Sequence, residues 1–276
     1  MSRLLGRFMK SVPGLSYEFC ALTDTGRVRS NNEDAVAIHK EAGLVILADG
    51  MGGYNAGEVA SGMAINVIGS ELAQWLEEAP AEVPVAEVRS ALQACVDNAN
   101  QAIFGASLAN AQYLGMGTTL VVGVLRAGRL ILGHVGDSRC YRLRAGELRQ
   151  ITRDHSWQKE QIDLGLLTPA QAAASGRGNL VTRALGVDAS VQLEINEFIV
   201  QPQDLFILCS DGLTDMVGDA DLAGLARLPI ALADKAQRMV AMANALGGRD
   251  NISVLLVQVG QLDRGPGLVS RLLGAG

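Results

Sequence analysis

Leu44-Val45-Ile46-Leu47-Ala48-Asp49-Gly50 is the stretch on which the reading of the chain turns: five apolar residues, then an acid and a glycine. The pattern returns as Leu205-Phe206-Ile207-Leu208-Cys209-Ser210-Asp211-Gly212, and again, with glycines and His134 interposed, from Leu130 to Asp137. A single Asp-Gly suits a tight turn. Three β-rich runs that each carry an aspartate to their end weaken that simple explanation, and two loops add to them. Asn31-Asn32-Glu33-Asp34 stands before the run 35–39, and Gly247-Gly248-Arg249-Asp250-Asn251 before the run 252–259.

Outward from these runs, further strands are predicted at 18–22, 118–125, 140–143 and 191–200. Arg126-Ala127-Gly128-Arg129 and Arg144-Ala145-Gly146-Glu147 are hairpin punctuation and predict antiparallel pairing. Helices are predicted in pairs. Segments 56–78 and 85–109 carry apolar residues at helical spacing (Val59, Met63, Val67; Leu92, Val96, Ile103) and are separated by Pro80 and Pro84; 219–226 and 232–246 precede the last strand. This order predicts α+β sheets covered by helices on their outer faces.

Three segments stand apart from this body, which spans 15–260. Residues 1–14 form a basic tail (Arg3, Arg7, Lys10, no acid), read as a loose terminus. Residues 261–276 form a second tail, in which Ser270-Arg271-Leu272-Leu273-Gly274 repeats Ser2-Arg3-Leu4-Leu5-Gly6. Residues 154–187 are polar with weak core signal, a surface excursion.

Composition excludes several classes. With 276 residues, 49 % hydrophobic and 19 % charged, the chain is a globular protein able to bury a core. Its net charge of −6 argues against a nucleic-acid surface, which needs clustered Lys and Arg. Cys20, Cys95, Cys140 and Cys209 are too scattered for a disulfide framework or a zinc site, and Cys209 reads as a small buried hydrophobe. No uncharged apolar stretch approaches a membrane span and no signal-peptide core is visible, so the expected address is the cytoplasm, without stable membrane insertion.

If the fold gathers the five acidic loops at one edge, their carboxylates cannot all stay ionised at close range without cations. Donors that are all carboxylate and carbonyl oxygen, with no Cys or His, select hard ions such as Mg²⁺ or Mn²⁺. The glycine after Asp49 lets its own carbonyl come close to an ion.

In order along the chain, Arg29-Ser30-Asn31-Asn32-Glu33-Asp34, Asp49-Gly50-Met51-Gly52-Gly53, Gly117-Thr118-Thr119, Gly136-Asp137-Ser138-Arg139, Ser210-Asp211-Gly212-Leu213-Thr214-Asp215 and Arg249-Asp250-Asn251-Ile252 resemble the motifs of the metal-dependent (PPM, type 2C) Ser/Thr protein phosphatases, in their bacterial form. The resemblance covers residues 17 to 260. It implies a four-layer α-β-β-α sandwich of two mainly antiparallel sheets flanked by helix pairs, with a flap subdomain at about 154–187.

The resemblance also implies roles. Asp49 would bridge two ions, with Glu33 and the Gly50 carbonyl on one and Asp211 and Asp250 on the other; Asp137, sharing Asp211, would hold a third, weaker ion. Asp34 would orient the water, and Arg29 would grip the phosphoryl group with its fork of donors. Met51, Gly52, Gly53 and Tyr54 would shape the floor beneath the flap, while Thr118, Thr119, Ser138, Arg139 and Asn251 would support the loops. Met51 stands where many relatives place a histidine proposed as general acid, and methionine donates no proton; His155 is the best placed of the three histidines to help. The flap residues Arg177, Asn179 and Arg183 are expected in solvent.

The implied activity is hydrolysis of phosphoserine and phosphothreonine in proteins by a water activated between two ions, reversing a partner Ser/Thr kinase, in a monomer. A non-catalytic phosphoprotein-binding regulator is the competing reading, and the complete set of acids argues against it.

Overall fold

Every residue of Leu44-Val45-Ile46-Leu47-Ala48 is buried, so this strand needs an apolar layer on each of its two faces. The computed structural model supplies both and describes residues 6–7, 14–53, 56–175 and 180–261. In chain order the elements are β1 Gly6–Arg7, β2 Leu15–Asp24, β3 Asp34–His39, β4 Leu44–Met51, α1 Ala56–Glu78, α2 Val85–Ala109, a 3-10 turn Ala111–Tyr113, β5 Gly117–Thr118, β6 Leu120–Arg126, β7 Arg129–Val135, β8 Arg139–Arg144 and β9 Glu147–Gln150. There follow α3 Trp157–Asp163, α4 Pro169–Ala174, β10 Glu194–Ile199, β11 Leu205–Cys209, α5 Asp211–Thr214, α6 Asp219–Arg227, α7 Leu232–Ala245 and β12 Ile252–Gln261.

One sheet runs β1-β2-β12-β11-β8-β9 and the other β10-β7-β6-β4-β3, with β5 beside the end of β4. Every named pair is antiparallel. The two predicted hairpins close through turns in which Ala127, Gly128, Ala145 and Gly146 all have positive φ, the geometry that matches strand twist.

Alternation along each central strand sorts the core into three layers. Val45 and Leu47 of β4, Phe206 and Leu208 of β11, and Leu255 and Val257 of β12 meet between the sheets. Leu44, Ile46 and Ala48 face α1 and α2, while Leu205, Ile207, Val254 and Leu256 face α6 and α7. The result is the four-layer α-β-β-α sandwich. The α1 stripe differs from the predicted one: Ala56, Ala60, Ala64, Ile68, Leu72 and Leu76 are fully covered, whereas Val59, Met63 and Val67 lie on its half-buried flank. Alanines let the helix lie close on the sheet, so the small residues take the innermost line. Arg126 closes the pair, donating to the carbonyls of Leu76, Ala79 and Pro80 at and just beyond the end of α1.

Several boundaries depart from the sequence reading. Strand β4 continues through Asp49 and Gly50 to Met51 because β3 and β5 pair with its end. The run predicted at 118–125 is divided between β5 and β6, and β9 is an additional hairpin strand. Gly6 and Arg7 pair with Phe19 and Glu18, attaching part of the basic tail to the sheet edge. The rest of residues 1–13, all of 262–276, Tyr54, Arg177 and Asn179 lie outside the described residues. Cys20, Cys95, Cys140 and Cys209 are buried and form no disulfide. No helix among the described residues is long and apolar enough to cross a membrane.

Candidate metal centre

Antiparallel order brings the end of β4, the start of β3 and the end of β7 to one edge of one sheet, and the end of β11 and start of β12 to one edge of the other. The acids sit at these ends. Asp34 opens β3 and stands directly opposite Asp49 in the register, an arrangement of like charges that destabilises a sheet unless a proton or cation intervenes.

The two edges meet where Ser210, after β11, donates to Asp34 at the start of β3, and Asn251, before β12, accepts from Glu33 N–H. Burial raises the pKa of Asp49 well above the ordinary carboxylate range, and Asp34, Asp211, Asp137 and Asp250 raise it further. Burial likewise raises Asp211, reinforced by Asp137, Asp215, Asp250 and Asp34. Asp34 is pushed up to about 6 by burial, against hydrogen bonds from Ser253 and Ser210 that pull it down. Asp137 also reaches about 6 through burial, with Asp154 and Asp215 adding to it. Asp215, absent from the residues singled out in the sequence, belongs to this field; its position in the quoted Asp211 motif was the available signal.

The loops are held by buried hydrogen bonds. Asn251 accepts from the Glu33 N–H at 2.8 Å and donates to Thr25 O and Asn31 O at 3.0 and 2.8 Å, tying the loop before β3 to the loop before β12. Ser61 of α1 donates to Glu33 O at 2.6 Å, and Gly50 N–H donates to the same carbonyl at 3.1 Å. A Cβ on Gly50 would lie 2.1 Å from Gly57 O, so only glycine admits this approach of α1 to β4. Thr118 and Thr119 support Asp49 as expected: Thr118 Oγ1 donates to its carbonyl at 2.9 Å, and Thr119 Oγ1 accepts from its N–H at 3.1 Å. Thr119 Oγ1 also shares a 2.7 Å hydrogen bond with Ser138, beside Asp137. Ser210 donates to Asp34 Oδ2 at 2.8 Å and accepts from Ser253 N–H at 2.9 Å. Ser61 and Ser253 had no sequence signal, whereas Ser210 was visible as a polar residue closing an apolar run.

Arg29, with its side chain 52 % exposed, donates to Asp250 through Nη2 at 2.7 Å. Met51 ends β4, and Gly52 and Gly53 follow it at the surface. Arg139 grips Asp154 through Nε and Nη2, with Nη2 to Oδ2 at 2.6 Å, and so ties β8 to the start of the 154–187 segment. Arg183 is half-buried. His155 is 3 % exposed. Both its ring nitrogens are engaged, Nδ1 by Gly136 N–H and Nε2 by Glu194, so it does not reach towards the acidic centre as a free acid.

The donor set fits a hard divalent cation. The converging groups are oxygen donors, and Asp34 Oδ1 is buried with no hydrogen-bond partner. Of these acids, Asp250 pairs with the half-exposed Arg29. Fold and donor set together define a class: an α-β-β-α sandwich whose sheet edges carry an all-oxygen site for hard cations.

Known proteins narrow the class. Residues 25–253 match the family described as Protein phosphatase 2C. The chain is 37 % identical over 248 residues to the serine/threonine phosphatase Stp of Listeria innocua, covering 88 % of this chain and 96 % of that protein. Among solved structures it resembles the serine/threonine phosphatase of S. agalactiae with a TM-score of 0.81 and 36 % identity, over 88 % of this chain and 99 % of that one. It also resembles the catalytic domain of the phosphatase PstP in complex with two manganese ions, with a TM-score of 0.78 and 36 % identity, over 89 % of this chain and 99 % of that one. The chain belongs to the protein phosphatase 2C family, in its bacterial branch. It is a metal-binding enzyme, a protein-serine/threonine phosphatase.

Proposed function

We propose that Asp49, Glu33 and the Gly50 carbonyl would hold one divalent ion and Asp49, Asp211 and Asp250 a second, and that Asp137 with Asp211 would hold a third. The observation that carries this reading is the placement of Asp34, Asp49, Asp137, Asp211 and Asp250 at adjoining strand ends, where Asp34 faces Asp49 across the ladder and the carboxylates repel one another. Mn²⁺ and Mg²⁺ are the ions the oxygen donors favour. Cations held there supply Lewis acidity, making water a nucleophile near neutral pH and offsetting the phosphoryl charge.

The chain's own residues do the rest. Asp34, with Oδ2 held by Ser210 and Oδ1 free of protein partners, accepts a hydrogen bond from the attacking water and orients it. The Arg29 fork binds two phosphoryl oxygens, with Asp250 fixing one of its nitrogens. Met51 donates no proton and both His155 nitrogens are engaged, so neither serves as the acid for the leaving alkoxide.

The substrates in this reading are proteins phosphorylated on serine or threonine, among them a partner kinase, met in the cytoplasm by a monomer. The segment 154–187 acts as a flap that influences which substrates are accepted; its tie to β8 through Arg139 and Asp154 supports a fixed hinge there. Retention of every acid supports catalysis over a purely phosphoprotein-binding role. The test is hydrolysis of an aryl phosphate and a phosphothreonine peptide with Mn²⁺, with Mg²⁺ and after chelation, beside Asp211→Asn. Turnover without metal, or full activity of the variant, would overturn the reading.

A further inference from the structure

Behind the Asp137 turn lies a second cluster of titratable groups. His134, His155 and Glu194 each offer a ligand atom within 4.8 Å of the others. The two imidazoles are buried and stack with centroids 4.8 Å apart and planes 12° from parallel. The spacing alone suits a cation, but the hydrogen bonds favour a different role. Gly136 N–H donates to His155 Nδ1 at 3.2 Å, so that nitrogen bears the lone pair and, in the neutral ring, Nε2 bears the proton. The Nε2 proton has its acceptor in Glu194 Oε2 at 3.4 Å. A metal at Nε2 would require the proton on Nδ1, against the Gly136 N–H.

The same histidine also holds the other side of that glycine. His155 N–H donates to Gly136 O at 2.8 Å. Gly136 is therefore clasped at both its N–H and its carbonyl, immediately before Asp137. The ring plane is set by stacking on His134, whose own Nε2 lies 2.9 Å from Arg153 O. The two ends of the 154–187 segment close on the same place: Thr182 N–H donates to His155 O, and Ser156 pairs with Val181. On the far side of the turn, Ser138 is held by Thr119.

We propose that His155, as the neutral Nε2–H tautomer oriented by Glu194 and His134, is a positioning residue that clasps the Gly136 peptide and thereby sets the turn presenting Asp137 to the ion site. This rests on the reading of Asp137 as an ion-binding carboxylate. The charged groups facing the imidazole pair are Glu194 on β10, Arg183 on the returning segment and Asp154 beside His155. Burial, with His134 and Arg183 assisting, keeps the His155 pKa below its ordinary value, so the neutral ring persists at neutral pH.

The test uses the full chain and two readouts that need no turnover: the His155 ring tautomer by ¹⁵N NMR, and hydrogen exchange at the Gly136 amide. The wild type should show the Nε2–H tautomer and a protected Gly136 amide. His155→Leu should exchange that amide about tenfold faster and raise the Mn²⁺ requirement for hydrolysis of an aryl phosphate about tenfold. His155→Asn, whose Oδ1 takes the place of Nδ1 as acceptor, should restore most of both, and Glu194→Ala should fall between. An Nδ1–H tautomer in the wild type, or unchanged Gly136 exchange in a folded His155→Leu, would overturn the clasp. So would stoichiometric Zn²⁺ binding that displaces His134, His155 and Glu194 resonances together. Asp137→Asn is the separate control: if it keeps the parent's Mn²⁺ dependence, the role of Asp137 fails, whereas the exchange measurement still decides whether the clasp exists.

Discussion

At the end of β4 the chain stays extended through Asp49 and Gly50 to Met51, whereas after β11 it coils at once, with Asp211 the first residue of α5. Both ends began as the same kind of string, an apolar run closed by Asp-Gly. The difference lies in what stands alongside. Asp49 has Asp34 across the ladder on one side and Thr118 and Thr119 on the other, so strand pairing fixes it. Beyond Cys209 the pairing of β11 with β8 and β12 ends, and Asp211 is fixed by a helical turn, its carbonyl accepting from Asp215 N–H at 2.7 Å. In both places the glycine serves close backbone approach. A Cβ on Gly212 would stand 1.9 Å from Asn251 O, much as one on Gly50 would meet Gly57 O. One dipeptide thus presents a carboxylate from a rigid ladder and another from a compact turn.

Removing either carboxylate is the strongest way to probe the comparison. Asp49→Asn and Asp211→Asn should each lower kcat/KM by about a thousandfold or more if both hold ions. In metal-free protein both should raise Tm, because each removes a buried charge that its neighbours oppose. Asp49→Asn should raise it more, being held opposite Asp34; the reverse order, by calorimetry, would break the distinction. Gly50→Ala and Gly212→Ala should each cost more than about 3 kcal/mol in denaturant unfolding, since backbone must move in both cases.

Acidity tests the shared field. Asp34 and Asp137 bind a proton more tightly folded than unfolded, so their contribution to the stability of the metal-free protein is fully present below about pH 4. That contribution should be lost as pH rises through about 6. For Asp137 alone the rise from 3.8 to about 6 corresponds to roughly 3 kcal/mol. Saturating Mn²⁺ should remove most of this loss, and a flat profile in metal-free protein would contradict the crowding. Arg29→Lys should lower kcat/KM about tenfold, mainly through KM, because a point charge replaces a fork. Ser210→Ala, which removes the donor to Asp34 on the β11 side, should cost about 1 kcal/mol and reduce kcat several-fold.

Much of this was legible beforehand. The fully apolar run 44–48, the two Gly hairpins and the paired helices were enough for antiparallel sheets covered by helices on their outer faces, because each reports a local periodicity or turn; the four-layer sandwich came from the family resemblance. The acids were legible because they recur at the ends of runs. Less legible were features that depend on a partner distant in sequence. Ser61 and Ser253 look like ordinary serines until Glu33 O and Ser210 come beside them. The inner stripe of α1 lies one position along from the expected one, at 60, 64 and 68 in place of 59, 63 and 67, because alanines carry a weaker hydrophobic signal than valine or methionine, although they allow the closest packing. His155, in sequence the histidine best placed to help with proton transfer, has both nitrogens occupied by Gly136 and Glu194.

By itself the sequence determined which residue types end each strand, hence that oxygen donors and not thiols or imidazoles would meet at the sheet edges. Only the tertiary structure decided which acids meet and how their protons are held. Residues 34, 49, 137, 211 and 250 come together by antiparallel order within each sheet and by the stacking of one sheet on the other. The displaced pKa values follow from the burial and repulsion that this stacking creates, and no local stretch of chain contains either.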